Sequence, residues 1–221
     1  MNPSPLSWTG HVLRRIGTEL LHRGGIKGTW IDVGAHHGEV TLGCAMQNPG
    51  LKVYAFEPNL RAAASLIGRA PNFIVIPMAV AESDGHAELH INTFDAASSM
   101  LPMDEDVRSA WIGGQTLQVE TKTTVATIRL DTFMNLFNIT SVDFLKVDTQ
   151  GMDLAVIRSA GSRLRDIAKI TLEIDVSPKP LYQGAAPKSE VLGFMSSAGF
   201  RLVSIEGQSH GQEENLTFAR N

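Results

Sequence analysis

Two short stretches decide the fold of this chain: IDVGAHHG at residues 31–38 and VYAFEP at residues 53–58. Each is an apolar run that ends in turn-forming residues, and a helix-length segment, residues 39–48, lies between them. This arrangement predicts a β-strand, a tight turn, a helix and a second strand. In nucleotide-binding α/β folds the turn lets a ligand approach the backbone, and an acid after the second strand accepts hydrogen bonds from ribose hydroxyls. Glu57 stands at that position.

The glycine spacing of the turn indicates which nucleotide it suits. A dinucleotide site needs G-x-G-x-x-G, but counting from Gly34 the second and third positions hold His36 and Glu39. A carboxylate at residue 39 would also repel a pyrophosphate. S-adenosylmethionine has no phosphate, and its positive sulfonium and amino groups favour nearby carboxylates such as Asp32. The turn therefore favours S-adenosylmethionine over NAD.

Composition narrows the class of protein further. The 221 residues are enough for one sizeable α/β domain, and a formal net charge of −4 argues against a general nucleic-acid binder. The single Cys44 excludes an intramolecular disulfide and fits a reducing compartment. No apolar stretch approaches the ~20 residues needed to span a bilayer. We expect a cytoplasmic protein with no stable membrane insertion.

The order of periodic segments predicts a doubly wound α/β domain over residues 29–221, preceded by an N-terminal helical extension, residues 1–28, with an amphipathic helix at 6–23. Within the domain, short strands alternate with helices. The predicted strands are 29–33, 51–56, 73–76, 87–91, 117–125, 142–147, 168–174, 200–205 and 216–220. The predicted helices are 38–48, 60–69, 131–137 with Asp131 as its cap, 151–160 and 188–198. The irregular segments 93–116 and 176–187 are expected to form an acceptor pocket.

Several motifs together resemble the FkbM-type methyltransferases of the class I S-adenosylmethionine-dependent superfamily. They are DVGAHHG at 32–38, FEPN at 56–59 and LKVDTQGMD at 145–153. The resemblance runs from about residue 30 to the end of the chain. It implies seven strands in the order 3-2-1-4-5-7-6, mostly parallel, with helices on both faces. The family often has Asn where His36 stands and Glu where Gln150 stands.

The candidate cofactor-binding residues share one feature: they follow the strands whose carboxyl ends meet at the switch point of the sheet. Glu57 is the strongest, because an ionised carboxylate accepts both vicinal ribose hydroxyls. Asp32 has two open roles, fixing the turn or reaching the methionine amine. The full set is Asp32, Gly34, Ala35, His36, Gly38, Glu57, Pro58, Ala79, Val80 and Asp148.

The candidate catalytic residues are Asp148, His36 and Lys146. Asp148 is a potential base for an alcohol acceptor, and its alternative role is to cap the next helix and orient the cofactor. His36 titrates near neutral pH. Lys146 in a central strand is costly unless paired, so a buried ion pair with Asp32 or Glu173 is its alternative role.

Metal binding is a second possibility at the same edge of the sheet. Asp148, Glu173 and Asp175 offer the carboxylate oxygens that Mg²⁺ prefers, which makes Mg²⁺ a second candidate cofactor. No Cys or His group has the sequence spacing of a zinc site.

The sequence thus predicts methyl transfer from S-adenosylmethionine to an oxygen. The resemblance implies a hydroxyl of a sugar, glycolipid or other specialised metabolite, and so a small-molecule or glycan acceptor as partner. Two alternatives stay open: a non-catalytic Rossmann-like binding module and an NAD-dependent oxidoreductase. Whether the chain forms a homodimer also stays open.

Overall fold

A seven-stranded sheet forms the centre of the molecule, for which the computed structural model describes residues 25–221. In spatial order its strands are β3 (Phe73–Ile76), β2 (Leu51–Phe56), β1 (Gly28–Val33), β7 (Phe144–Val147), β8 (Lys169–Asp175), β10 (Glu213–Arg220) and β9 (Phe200–Gln208). Neighbours are parallel except for β10, which is antiparallel to both β8 and β9. Numbered among themselves, they run 3-2-1-4-5-7-6, as the family resemblance implied.

Successive residues of a strand point to opposite faces of the sheet, and both faces of this sheet are apolar. Helices therefore cover both faces. Ile31 and Val33 of β1 pack into the larger core, whereas Trp30 packs into the smaller core on the other face. The helices α1 (Leu42–Gln47) and α2 (Leu60–Leu66) cover the smaller core, and α4 (Leu130–Leu136), α5 (Asp153–Ser159) and α6 (Lys188–Ser197) cover the larger one. A further short helix, α3 (Glu105–Ala110), lies outside these layers.

Three predicted helix starts were wrong. The helix expected over 151–160 begins at Asp153, because Gly151 has a φ of +97°. The helix expected over 38–48 begins only at Leu42, because Gly38 has a φ of +79°, outside the right-handed helical region. Asp131 does not cap its helix. Arg129 is the N-cap residue, and the Asp131 carboxylate inside the first turn pairs with the Arg129 guanidinium at 2.8 Å.

A second, three-stranded sheet lies beside the main one in the order β4-β6-β5. It comprises β4 (Ala79–Val80), β5 (Gly85–Asn92) and β6 (Val119–Ile128). The strands predicted over 87–91 and 117–125 are therefore the two arms of an antiparallel pair. The segment between them contains α3. It packs against residues 176–187 in an apolar cluster separate from the two main cores, which includes Met103, Trp111, Leu181 and Tyr182.

The amphipathic helix predicted over 6–23 lies outside the described residues, so the boundary of the N-terminal extension stays a prediction. Among the helices of residues 25–221, none has the length and apolar character that a membrane crossing requires.

Candidate active site

Three residues of the loop after β1 have a left-handed backbone conformation. Gly34, His36 and Gly38 have φ values of +75°, +48° and +79°. A Cβ placed on Gly34 would lie 1.9 Å from the carbonyl oxygen of Asp148, so only glycine allows the loop to rest directly on the end of β7. The group that approaches Gly34 closely is the protein's own β7, and the expected approach of a ligand to this turn stays a prediction.

Glu57 connects this loop to the end of β2. Its two carboxylate oxygens accept hydrogen bonds from the backbone N–H groups of His36 and Asn59, both at 2.8 Å. Only 7% of Glu57 is exposed, and burial raises the pKa of its carboxyl despite these two donors. Each oxygen keeps a second lone pair. Two adjacent hydroxyls are therefore acceptable partners, which fits the predicted ribose contact.

Asp32 and Lys146 form a buried ion pair between neighbouring strands. They are register partners of β1 and β7, so their side chains leave the sheet on the same face. The Lys146 Nζ lies 3.2 Å from Asp32 and 3.5 Å from Asp148, and it donates a hydrogen bond to the Gly34 carbonyl. The second Asp32 oxygen accepts from the Thr41 hydroxyl at 2.5 Å. The predicted pairing of Lys146 with Asp32 is confirmed, and its other partner is Asp148 rather than Glu173.

These contacts favour a structural role for Lys146 and Asp32 over a direct part in the reaction. Burial lowers the pKa of Lys146, but the charges of Asp32 and Asp148 outweigh it, and the pKa stays above the ordinary lysine value. The geometry thus supports the ion-pair role of Lys146, and its assignment as a catalytic residue stays a prediction. Asp32 is fully buried, which supports its role in fixing the turn over a direct contact with the methionine amine.

His36 is also unsuited to act as a base. Its Nδ1 and Nε2 atoms each lie 2.9 Å from a carboxylate oxygen, of Glu39 and Asp95 respectively. Burial lowers its pKa, but the hydrogen bonds to these carboxylates raise it to about 9. Both ring nitrogens thus face carboxylates of the protein itself, which disfavours a base role, and the assignment of His36 as a catalytic residue stays a prediction.

Acidic side chains gather around Asp148 at the end of β7. The side-chain amide of Gln150 donates to Asp148 and to Glu173, both at 2.9 Å. Burial and the Asp148 charge raise the pKa of Glu173 well above its usual range. Burial raises the pKa of Glu213, at the start of β10, to about 7, and the Asp148 charge adds to that rise. Glu173 and Glu213 therefore hold protons more tightly than free carboxyls do, and Asp148 is the member of the cluster next to the Gly34 turn.

These contacts do not fit the magnesium site that the sequence suggested. The Asp175 carboxylate is occupied by its own loop, since it accepts from the N–H groups of Ser177 and Leu181 and from the Ser177 hydroxyl. The Gln150 amide, a donor, stands between Asp148 and Glu173 where a cation would bind. These carboxylates are therefore engaged by donors of the protein itself and are not arranged to bind Mg²⁺.

The remaining predicted cofactor residues are buried or half-buried. Ala35 is buried, and its N–H donates to the Phe56 carbonyl at 2.9 Å, while Pro58 is half-buried after Glu57. Ala79 and Val80 pair with β6 and have buried side chains, so only their backbone is suited to line a cofactor site. Their assignment as cofactor-binding residues stays a prediction.

The two irregular segments meet over the end of β7, as expected for parts of one pocket. The Ser99 hydroxyl donates to the Gln150 carbonyl at 2.7 Å, and the Tyr182 hydroxyl lies 3.0 Å from the Gln150 side-chain oxygen. Residues 93–116 and 176–187 thus reach the residues around Asp148 from both sides.

Sequence reasoning missed three groups that this geometry brings to the site: Asp95, Tyr182 and Glu213. Asp95 and Tyr182 lie in irregular segments without periodicity, so the neighbouring sequence did not indicate where their side chains lie in the fold. Glu213 precedes the predicted start of its strand, and only the pairing of β10 with β8 places it opposite Asp175.

Comparisons with solved structures identify the class of fold. The chain is similar to magnesium protoporphyrin IX methyltransferase from Synechocystis PCC 6803 with bound SAM, with a TM-score of 0.52 and 11% identity over 100% of this chain and 87% of that one. It is also similar to TrmK of M. capricolum in complex with S-adenosyl-homocysteine, with a TM-score of 0.52 and 9% identity over 96% and 68% of the two chains. The fold is thus the Rossmann-like fold of S-adenosylmethionine-dependent methyltransferases.

Sequence comparison then gives the family. A model of the methyltransferase FkbM domain matches residues 32–202, and the chain belongs to this family of methyltransferases. A curated relative, the 2-O-methyltransferase NoeI of Sinorhizobium fredii (strain NBRC 101917 / NGR234), is 24% identical over 180 residues, which cover 79% of this chain and 72% of that protein. Membership of the family leaves no support for the oxidoreductase alternative.

Proposed function

We propose that this protein transfers a methyl group from S-adenosylmethionine to a hydroxyl oxygen of a sugar, a glycolipid or another specialised metabolite. The observation that carries the proposal is the position of Asp148. Its carbonyl touches Gly34 in the loop after β1 (residues 34–38), which we call the cofactor loop. Its carboxylate belongs to the acidic cluster beneath the two irregular segments. The residue thus stands between a site suited to the methyl donor and a site suited to the acceptor.

The residues around the loop fit S-adenosylmethionine. Glu57 keeps lone pairs for two ribose hydroxyls, and Asp148 offers negative charge for a sulfonium or amino group. The loop also lacks what a pyrophosphate needs, since the next helix begins only at Leu42. When bound, S-adenosylmethionine supplies an electrophilic methyl group.

The protein's own residues then have three tasks. Asp148 accepts the hydroxyl proton of the acceptor, because an alcohol is a poor nucleophile until it begins to lose that proton. Lys146 and Gln150 hold the Asp148 carboxylate from opposite sides. Residues 93–116 and 176–187 orient the acceptor and exclude water, which matters because methyl transfer needs donor and acceptor in line at close range.

A polyhydroxylated acceptor suits the rest of the cluster. Glu173 with its raised pKa donates a hydrogen bond when protonated, whereas Asp148 and the Gln150 oxygen accept. Alternating donors and acceptors are what vicinal hydroxyls require. The activity of the relative NoeI, 2-O-methyl transfer, is consistent with such an acceptor.

The test is calorimetric titration with S-adenosylhomocysteine, followed by transfer of labelled methyl groups from S-adenosylmethionine to a panel of sugars and glycolipids. We expect Asp148→Asn to bind S-adenosylhomocysteine within a few-fold of the parent and to lose about 10²–10⁴-fold in kcat, the usual contribution of a general base. Failure to bind S-adenosylhomocysteine would refute the proposal. Equal turnover by the Asp148→Asn variant would refute the role of Asp148. Binding without transfer to any hydroxyl would favour the non-catalytic module.

A further inference from the structure

Two histidines and an aspartate converge beside the cofactor loop, outside the cluster around Asp148. His36 and His37 lie in the loop after β1, and Asp95 begins a single 3₁₀ turn (Asp95–Ala97) in the segment after β5. The Nε2 of His36 lies 2.9 Å from one Asp95 oxygen, and the Nε2 of His37 lies 3.5 Å from the other. One potential ligand atom from each of the three residues lies within 4.8 Å of the others.

The outward nitrogen of each ring is fixed by another side chain. The Nδ1 of His36 lies 2.9 Å from Glu39, whose carboxylate can only accept, so this nitrogen carries a hydrogen. The Nδ1 of His37 lies 3.0 Å from the Ser65 hydroxyl, which already donates its single hydrogen to the Ala62 carbonyl at 2.7 Å. This hydroxyl therefore accepts from His37.

It follows that in the neutral rings both Nε2 atoms carry lone pairs, and both face the anionic Asp95. Three electron-pair donors pointing at one another require a cation among them. A proton on His36 satisfies one contact at 2.9 Å, but the contact of His37 at 3.5 Å is longer than an ordinary hydrogen bond. A metal ion can be bound by all three groups at once.

We propose that His36, His37 and Asp95 bind a divalent transition-metal ion of the zinc class. Ligand bonds of about 2.0–2.2 Å place neighbouring ligand atoms roughly 2.9–3.5 Å apart in octahedral or tetrahedral geometry, which is the range of the two Asp95 contacts. Two imidazoles with one carboxylate suit Zn²⁺, Co²⁺ or Ni²⁺ and not Mg²⁺ or Ca²⁺. Glu39 supplies the second carboxylate that orients a metal-bound histidine through its other nitrogen.

The site is open on its outer side. Side-chain exposures are 46% for His37 and 40% for Asp95, so water completes the coordination and the ion exchanges. Because the His36 N–H also holds Glu57, a bound ion would tie the segment after β5 to the loop that carries the predicted ribose contact. The sequence spacing gave no sign of this site, because Asp95 lies 59 residues from His36.

The experiment uses the whole chain, freed of metal by chelation and of any affinity tag. Zn²⁺ binding is measured by calorimetry, and Co²⁺ binding by its visible absorption, whose intensity and energy report nitrogen ligation and coordination number. The variants are His37→Gln and Asp95→Asn, and His86→Gln is the matched control because His86 is an exposed histidine outside the cluster. Circular dichroism checks that each variant is folded.

We expect one ion per chain, an affinity at least tenfold weaker in His37→Gln and in Asp95→Asn, and no change in His86→Gln. Two results would overturn the proposal. One is the absence of Zn²⁺ and Co²⁺ binding at millimolar concentration. The other is binding that both cluster variants retain, which would mean that other groups hold the ion. Neither outcome depends on methyl transfer.

Discussion

Replacing Gly34 by alanine is the sharpest test of how the cofactor loop rests on β7. The added Cβ would lie 1.9 Å from the Asp148 carbonyl oxygen, at a residue whose φ is +75°. Gly68 offers a matched control, because its φ is +79° and a Cβ there meets nothing within 4 Å. The two substitutions share the backbone cost and differ in the collision alone.

The expected loss of stability follows from these contacts. A left-handed conformation costs an L-residue about 1–2 kcal/mol, and removing a glycine from the unfolded chain returns about 0.4–1 kcal/mol. Gly68→Ala should therefore lose no more than about 1.5 kcal/mol. In Gly34→Ala the loop must also move away from β7, which breaks the bond from Lys146 to the Gly34 carbonyl and adds about 1.5–3 kcal/mol for a charged hydrogen bond.

The assay is urea unfolding combined with S-adenosylhomocysteine titration. Gly34→Ala should lose about 1.5–4.6 kcal/mol, or roughly 3–18 °C in Tm for a chain of this size, together with most of its affinity for S-adenosylhomocysteine. Gly68→Ala should bind like the parent. Equal stability of the two variants, or unchanged affinity in Gly34→Ala, would show that the contact with Asp148 does not organise the site.

Three further substitutions test other parts of the site. Lys146→Met leaves the buried Asp32 carboxylate without its counter-charge and should lower the free energy of unfolding in urea by about 3–5 kcal/mol. If the double variant with Asp32→Asn is no more stable than Lys146→Met alone, loss of the ion pair does not explain the destabilisation. Glu57→Gln places an amide against the two backbone donors and should weaken S-adenosylhomocysteine binding by more than tenfold in calorimetry; unchanged affinity would refute the ribose contact. Glu213 has a folded pKa raised to about 7, mainly by burial, above an unfolded value of about 4.3, so its ionisation destabilises the fold as pH rises from about 4 to 7. Glu213→Gln should gain stability relative to the parent over that interval, and a pH-independent difference between their urea midpoints would contradict this.

The strands of the main sheet could be predicted from the sequence because their apolar runs are bounded by turn residues. The strands at 51–56 and 73–76 match β2 and β3 residue for residue. The turn after β1 and the position of Glu57 followed from the same reasoning. The strand order needed the family resemblance, because periodicity does not say which strands are neighbours.

Contacts between residues that are far apart along the chain could not be predicted from the sequence. The Lys146 side chain could be placed in a central strand, but its partners depend on the register of β1 with β7. The pKa of His36 depends on Asp95, which belongs to a segment without periodicity. The short start of α1 also escaped prediction, because a single positive φ at Gly38 overrides an otherwise helical stretch.

The hairpin of the small sheet makes residues 93–118 an exchangeable unit. The two ends of this segment are joined by the bond from the Thr93 N–H to the Gln118 carbonyl at 2.8 Å, so its length does not affect how β5 pairs with β6. Doubling a loop costs only about 0.6 kcal/mol in closure entropy. A different segment between Ser99 and Gln118 would therefore leave the pairing of β5 with β6 and the central sheet intact, and under the proposed function it would change which acceptor is methylated.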